Sequence, residues 1–144
     1  FEETLEQVVT LSLFIPLLIG VGGNAGAQSA TTIVRGLATN EVEVADLFRV
    51  ILREARVGFL LGFTLASFAL VVVWLLFDSD MALILSLSLI AICTLSSFVG
   101  ATMPILASRV GVDPAVVSAP FVTTIVDASG LLVYFAIAQA VLGI

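Results

Sequence analysis

Pro114-Ala-Val-Val-Ser-Ala-Pro-Phe-Val-Thr-Thr-Ile-Val-Asp-Ala-Ser-Gly-Leu-Leu-Val-Tyr-Phe-Ala-Ile-Ala-Gln-Ala-Val-Leu-Gly-Ile144 contains a single charged side chain, Asp127, near its centre. About 20 apolar residues suffice for a helix to cross the hydrocarbon core of a bilayer, and this stretch exceeds that. Working back along the chain, Met81–Ser108, Val57–Phe77 and Val8–Val34 are also long and apolar, and none contains a charge. Only helices and closed barrels satisfy their backbone hydrogen bonds in lipid. The length of these stretches and their lack of strict alternation favour helices. The expected fold is therefore an all-α integral membrane protein with four transmembrane helices, residues 1–144 forming one membrane domain.

The composition excludes the main alternatives. Hydrophobic residues make up 60% of the 144 and charged residues 11%, and mean hydropathy is +1.25. Soluble domains carry about 25% charged residues, so neither a soluble enzyme domain nor a disordered tail fits. The net charge of −6 has the wrong sign for phosphate, and no nucleic-acid partner is expected. One Cys and no His exclude a disulfide framework and most triad or transition-metal chemistry. No nucleophile–base pair or catalytic metal cluster is evident, so the chain is not read as an enzyme.

The remaining charges sort by side. Arg35, Arg49, Arg53 and Arg56 surround the first connection and Arg109 lies in the third, whereas the second holds Asp78 and Asp80 and the N-terminal flank Glu2, Glu3 and Glu6. The positive-inside rule makes the Arg-bearing loops of this multi-pass protein cytoplasmic and places both termini outside. An outside N-terminus bearing three acids needs export by something upstream, so a preceding helix is expected. Asn40 followed by Glu43 resembles a capping box that would start an interfacial helix through Leu47 and Val50. Gly111 suits a helix C-cap, and Asp113-Pro114 suits the start of the next helix. Glu54, beside Arg53 and Arg56, reads as half of an interfacial ion pair.

The polar positions within the spans carry the chemistry. Asp127 lies near the bilayer midplane, where an acid costs roughly 2.5–3.5 kcal/mol even on the lenient insertion scale. No Arg lies mid-span to neutralise it. It reads as a cation or proton site, or else as a protonated acid bonded to Thr123, Thr124 or Ser129. Thr123 precedes it by four residues on the same helix face. In the first span, Gly20-Val-Gly-Gly-Asn-Ala-Gly-Ala-Gln-Ser-Ala30 combines four Gly with Asn24 and Gln28. That composition permits a discontinuous or kinked helix lining a cavity, or close small-residue packing. Pro16, Pro104 and Pro120 add candidate kinks. Carboxylate, amide, hydroxyl and backbone oxygen select hard cations. A single carboxylate does not balance a divalent ion, but two copies of Asp127 across a two-fold axis would.

These residues resemble a known family. Pro16-Leu-Leu-Ile-Gly-Val-Gly-Gly-Asn-Ala-Gly-Ala-Gln-Ser-Ala-Thr, with Arg35-Gly-Leu-Ala after it, is similar to the first signature of the MgtE magnesium channels. Gly111 through Phe135, with Asp127 inside, looks like their last helix, and Arg53-Glu54 with Val57-Gly58 and Gly62, and Gly100 through Pro104, are also similar. The resemblance implies a five-helix membrane domain, of which this chain lacks the first helix, in the cell (inner) membrane. It implies a homodimer with a pore on its two-fold axis and Mg2+ as the transported ion, with Ca2+ or Mn2+ as alternatives. The implied ion-site residues are Asp127, Gly20, Gly23, Asn24, Thr31 and Thr123. Two pore-side positions that carry Asn in some members are Ala27 and Ala119 here. Members often carry cytoplasmic magnesium-sensing domains ahead of the membrane part, and these are absent from this chain. The leading expectation is a divalent-cation channel conducting a hydrated ion. The alternatives are a proton- or Na+-coupled secondary transporter, and a non-transporting assembly module in which Asp127 bonds across the dimer.

Overall fold

The computed structural model describes residues 2–117 and 119–143, with side chains described from residue 9 onward. Four long helices account for most of it: α1 (Glu2–Ala38), α2 (Leu47–Leu76), α3 (Ser79–Arg109) and α4 (Ala119–Leu142). Short 3-10 turns at Val44–Asp46 and Pro114–Val116 interrupt the first and third connections. All four helices are long and apolar enough to cross a membrane. The chain is a helical membrane protein.

α3 occupies the centre and packs against each of the other three, while α1 also packs on α4. It presents small residues to its neighbours, and Ser88, Ser96, Cys93 and Ala101 are all but inaccessible. Phe59, Leu60, Phe63, Phe68, Trp74 and Leu75 on α2 are exposed, as expected where hydrocarbon is the solvent. α1 and α3 run in the same direction. Leu11 clusters with Val73, Met81, Tyr134 and Ala138 at one end; Ile33 clusters with Ala101, Ile105, Leu47 and Val50 at the other. Arg35, Arg49 and Arg109 are exposed and all belong to the second end, as the charge pattern implied. The first end is tied by Tyr134, whose buried hydroxyl donates to the Leu11 carbonyl at 2.8 Å. Tyr134→Phe is expected to lower stability by about 0.5–1.5 kcal/mol, measured by thermal or denaturant unfolding in detergent.

The helix ends follow from local chemistry. Asn40 has φ 57; Glu41 N–H donates to the Gly36 carbonyl at 2.9 Å and Asn40 N–H to Leu37 at 3.4 Å. Asn40 therefore closes α1 in the left-handed conformation that Asn tolerates, and does not begin the next helix. A box-like contact falls three residues later, where Glu43 N–H donates to Asp46 Oδ2 at 3.2 Å. The interfacial helix expected here is the first part of a continuous α2. Gly111, φ 78, closes α3 in the same way, with Val112 N–H on the Ala107 carbonyl at 2.9 Å. Asp113 Oδ1 accepts from Ala115 N–H at 3.0 Å, as its N-cap reading implied.

Three further expectations are revised. The first helix is not discontinuous: α1 runs unbroken through the Gly-rich segment and Pro16. Its glycines serve close approach instead. A Cβ on Gly22 would lie 2.6 Å from Ile92 Cγ2, and one on Gly26 3.1 Å from Val122 Cγ1. Pro120 is not an interior kink either. α4 begins at Ala119, so Pro120 sits in a first turn whose N–H groups lack intrahelical partners anyway. Glu54, finally, is buried and forms no ion pair among the described residues, while Arg53 and Arg56 are exposed.

A candidate cation site between α1 and α4

The contact of α1 with α4 is built on absent side chains. Gly22 and Gly26, four residues apart, lie against Val122 and Val126 of α4 and against Ser96 of α3. A Cβ on Gly100 of α3 would overlap the Gly26 carbonyl oxygen, so the α1 and α3 backbones meet as closely as small residues allow, with the Val122 and Val126 side chains of α4 packed on the same glycines. That contact sets the position of Gly23, one residue on. A Cβ there would lie 3.5 Å from Thr123 Cγ2 and 3.9 Å from Asp127 Oδ1. The structure thus brings Gly23, Thr123 and Asp127 together from two helices.

Asp127 is half-buried, and its Oδ1 is buried with no hydrogen-bond partner among the described residues. The hydroxyls that offered a bland explanation point elsewhere. Thr123 and Thr124 both donate to the Pro120 carbonyl at 2.9 Å, and Ser129 donates to the Ile125 carbonyl at 2.8 Å. This is the ordinary back-bonding of hydroxyl residues in helices. It leaves a carboxyl oxygen at membrane depth beside Gly23, with no donor among the described residues. Such a group is costly unless water or a cation reaches it.

The other sequence-derived residues are spread along α1. Gly20 is exposed with nothing within 4 Å of where its Cβ would be. Thr31 is exposed and donates to the Ala27 carbonyl at 2.8 Å. It lines a cavity of about 350 Å³ with Arg35, Ala115 and Ala119 near the Arg-bearing end. Gly20 and Thr31 share a strip with Ala27, adjoining the Asp127 contact but not touching it. Asn24 is turned to a different cavity, of about 410 Å³, which it lines with Gln28, Ser29, Glu54 and Ser97 between α1 and α2. No three His, Cys, Asp or Glu side chains converge among the described residues. Any ion at Asp127 is therefore held by one carboxylate per chain and neutral oxygens.

One polar contact escaped the sequence reading. Ser29 Oγ lies 2.8 Å from Glu54 Oε2 and 3.1 Å from the Ser97 carbonyl, joining three helices. The signal was present: Glu54, Gly58, Gly62 and Ala66 recur every four residues and form the buried face of α2. That spacing puts Glu54 with the packing residues, not with Arg53 and Arg56.

A family model described as the MgtE divalent cation transporter matches residues 15–137, which include every candidate residue above. The chain belongs to the MgtE family. The magnesium transporter MgtE of Thermus thermophilus is 47% identical over 99% of this chain. Those of Bacillus subtilis and Enterococcus faecalis are 34% and 32% identical over 97% and 96% of it. The chain spans only about a third of the length of these relatives, 32% of the first and 31% of the other two.

Proposed function

We propose that this chain forms the conducting part of a divalent-cation channel, with Mg2+ as the transported ion, moved in hydrated form along the two-fold axis of a homodimer. The observation that carries the reading is the unpartnered Oδ1 of Asp127 beside Gly23. The relatives' name, magnesium transporter, supports the choice of ion. Mg2+ dehydrates reluctantly and needs near-ideal octahedral geometry. A carboxylate that accepts hydrogen bonds from the ion's water shell suits it better than a closed cage of protein ligands. Two Asp127 side chains supply −2 against +2, the balance that one chain lacks. Gly20, Gly23 and the Thr123 region border the path with backbone oxygen, and Thr31 lies further along the same strip of α1. In this reading the Arg-bearing end is cytoplasmic, the ends of this segment face outward, and the protein sits in the inner membrane.

The test is flux by the full-length protein in sealed vesicles, comparing Mg2+, Ca2+, Mn2+ and Na+. Mg2+ flux driven by its own gradient, without proton or Na+ counterflow, is expected of a channel; obligatory counterflow indicates the coupled transporter. Asp127→Ala is expected to abolish or strongly reduce flux while the dimer persists on cross-linking. Flux at the wild-type level in that variant would refute the site.

A further inference from the structure

α1 stands between two carboxyl groups. On one face Gly23 meets Asp127. Six residues on, about 9 Å along the axis and about 120° around it, Ser29 meets Glu54. Glu54 is only 8% exposed. The cavity of about 410 Å³ that opens beside it is lined by Asn24, Gln28, Ser29 and Ser97 among apolar residues of α1 and α2. The amides of Asn24 and Gln28 make no hydrogen bond among the described residues.

The hydrogen-bond count at Ser29 is one proton short. Its hydroxyl lies within reach of two acceptors, Glu54 Oε2 and the Ser97 carbonyl, but has one hydrogen to give. Among the described residues no base makes up the difference. The cavity lining holds no titratable side chain besides Glu54. α1 contributes Asn24, Gln28 and Ser29, and α3 contributes Ser97 and, a turn away, the buried thiol of Cys93. Arg53 and Arg56 on α2 itself are exposed. A carboxylate buried this deep beside one serine hydroxyl, with no basic side chain against it among the described residues, is unfavourable, so a positive charge belongs here. One carboxylate among neutral oxygens balances a single charge, and a divalent ion would leave an excess of one in a low-dielectric setting.

We propose that Glu54, Ser29 and the amides of Asn24 and Gln28 form a second intramembrane site, separate from Asp127, that takes one singly charged metal cation, Na+. The site stands on the α1–α2 groove and not on the conduction reading, so either can fail without the other.

The experiment is thermal unfolding of the full-length protein in detergent. Na+ is titrated against choline at constant pH and ionic strength. The melting temperature is expected to rise with Na+ to a plateau. Glu54→Gln, nearly isosteric and uncharged, should lose that response, Asp127→Asn should keep it, and Ser29→Ala should shift its half-effect concentration several-fold. The absence of any response to Na+, or a response that survives Glu54→Gln, overturns the proposal. So does a Glu54-dependent response to Mg2+ with none to Na+. Should Glu54→Gln fail to fold, Ser29→Ala decides: an unchanged half-effect concentration refutes the site.

Discussion

Asp127→Asn is expected to leave the protein folded, at least as stable as the wild type, and with divalent-cation flux lower by about tenfold or more. The substitution keeps the shape of the side chain and removes only the charge. Among the described residues that charge has no compensating donor on Oδ1, and the three nearby hydroxyls are committed to their own helix carbonyls. Nothing in the fold is lost when it goes, and the cost of an acid at membrane depth, roughly 2.5–3.5 kcal/mol, is relieved. What goes is a charged acceptor for an ion's water shell. A hydrogen bond to a charged group is worth about 1.5–3 kcal/mol, and each 1.4 kcal/mol is a factor of about ten in affinity. Opposite movements of stability and flux are the signature. A variant that unfolds more readily and conducts normally would instead identify Asp127 as a structural residue bonded within the assembly. Unfolding in detergent and vesicle flux, measured on the same preparation, separate the two.

Much of this was legible in the chain because bilayer physics is permissive of few arrangements. Four long apolar stretches had to become helices, and the one acid in the fourth had to have a reason. The ends of α1 and α4 were less legible. Asn40 is equally a helix starter and a left-handed closer, and only the return of Val42 over Gly36, where a Cβ would lie 2.7 Å from Val42 Cγ2, decides which. The glycines of the first span illustrate the same ambiguity. Composition allows a break or a close contact, and the partners that select contact, Ser96 and Gly100 of α3 and Val122 and Val126 of α4, lie far away in sequence. Glu54 was misread for a nearer reason. Its sequence neighbours are Arg53 and Arg56, but a helix turns adjacent residues about 100° apart, and the residues that share its face are Gly58 and Gly62.

The same Gly→Ala substitution should act with opposite sign at two positions. At Gly58 the new Cβ would lie 2.5 Å from the Cys93 carbonyl oxygen, 2.6 Å from Ser97 Oγ and 2.7 Å from Ser97 Cβ. The first of these is backbone, so it cannot give way unless α3 itself moves. Overpacking of this kind costs typically 1–3 kcal/mol, occasionally more, and a backbone obstacle puts Gly58→Ala at the upper end. The gain from replacing glycine in a helix, about 0.5–1 kcal/mol, is too small to offset it. At Gly20 nothing lies within 4 Å of the new Cβ, so that gain should appear undiminished and raise stability slightly. Gly58→Ala has a second consequence, because Ser97, the residue it displaces, also bears the carbonyl that Ser29 reaches. Moving α2 off α3 separates Glu54 from Ser29, so a residue with no polar atom in its side chain is expected to weaken the singly charged site as well as the fold. Unfolding of the two variants side by side checks the first expectation: equal stability would mean that α2 and α3 are not in the close contact described. The Na+ response of Gly58→Ala, set against that of Gly20→Ala, checks the second.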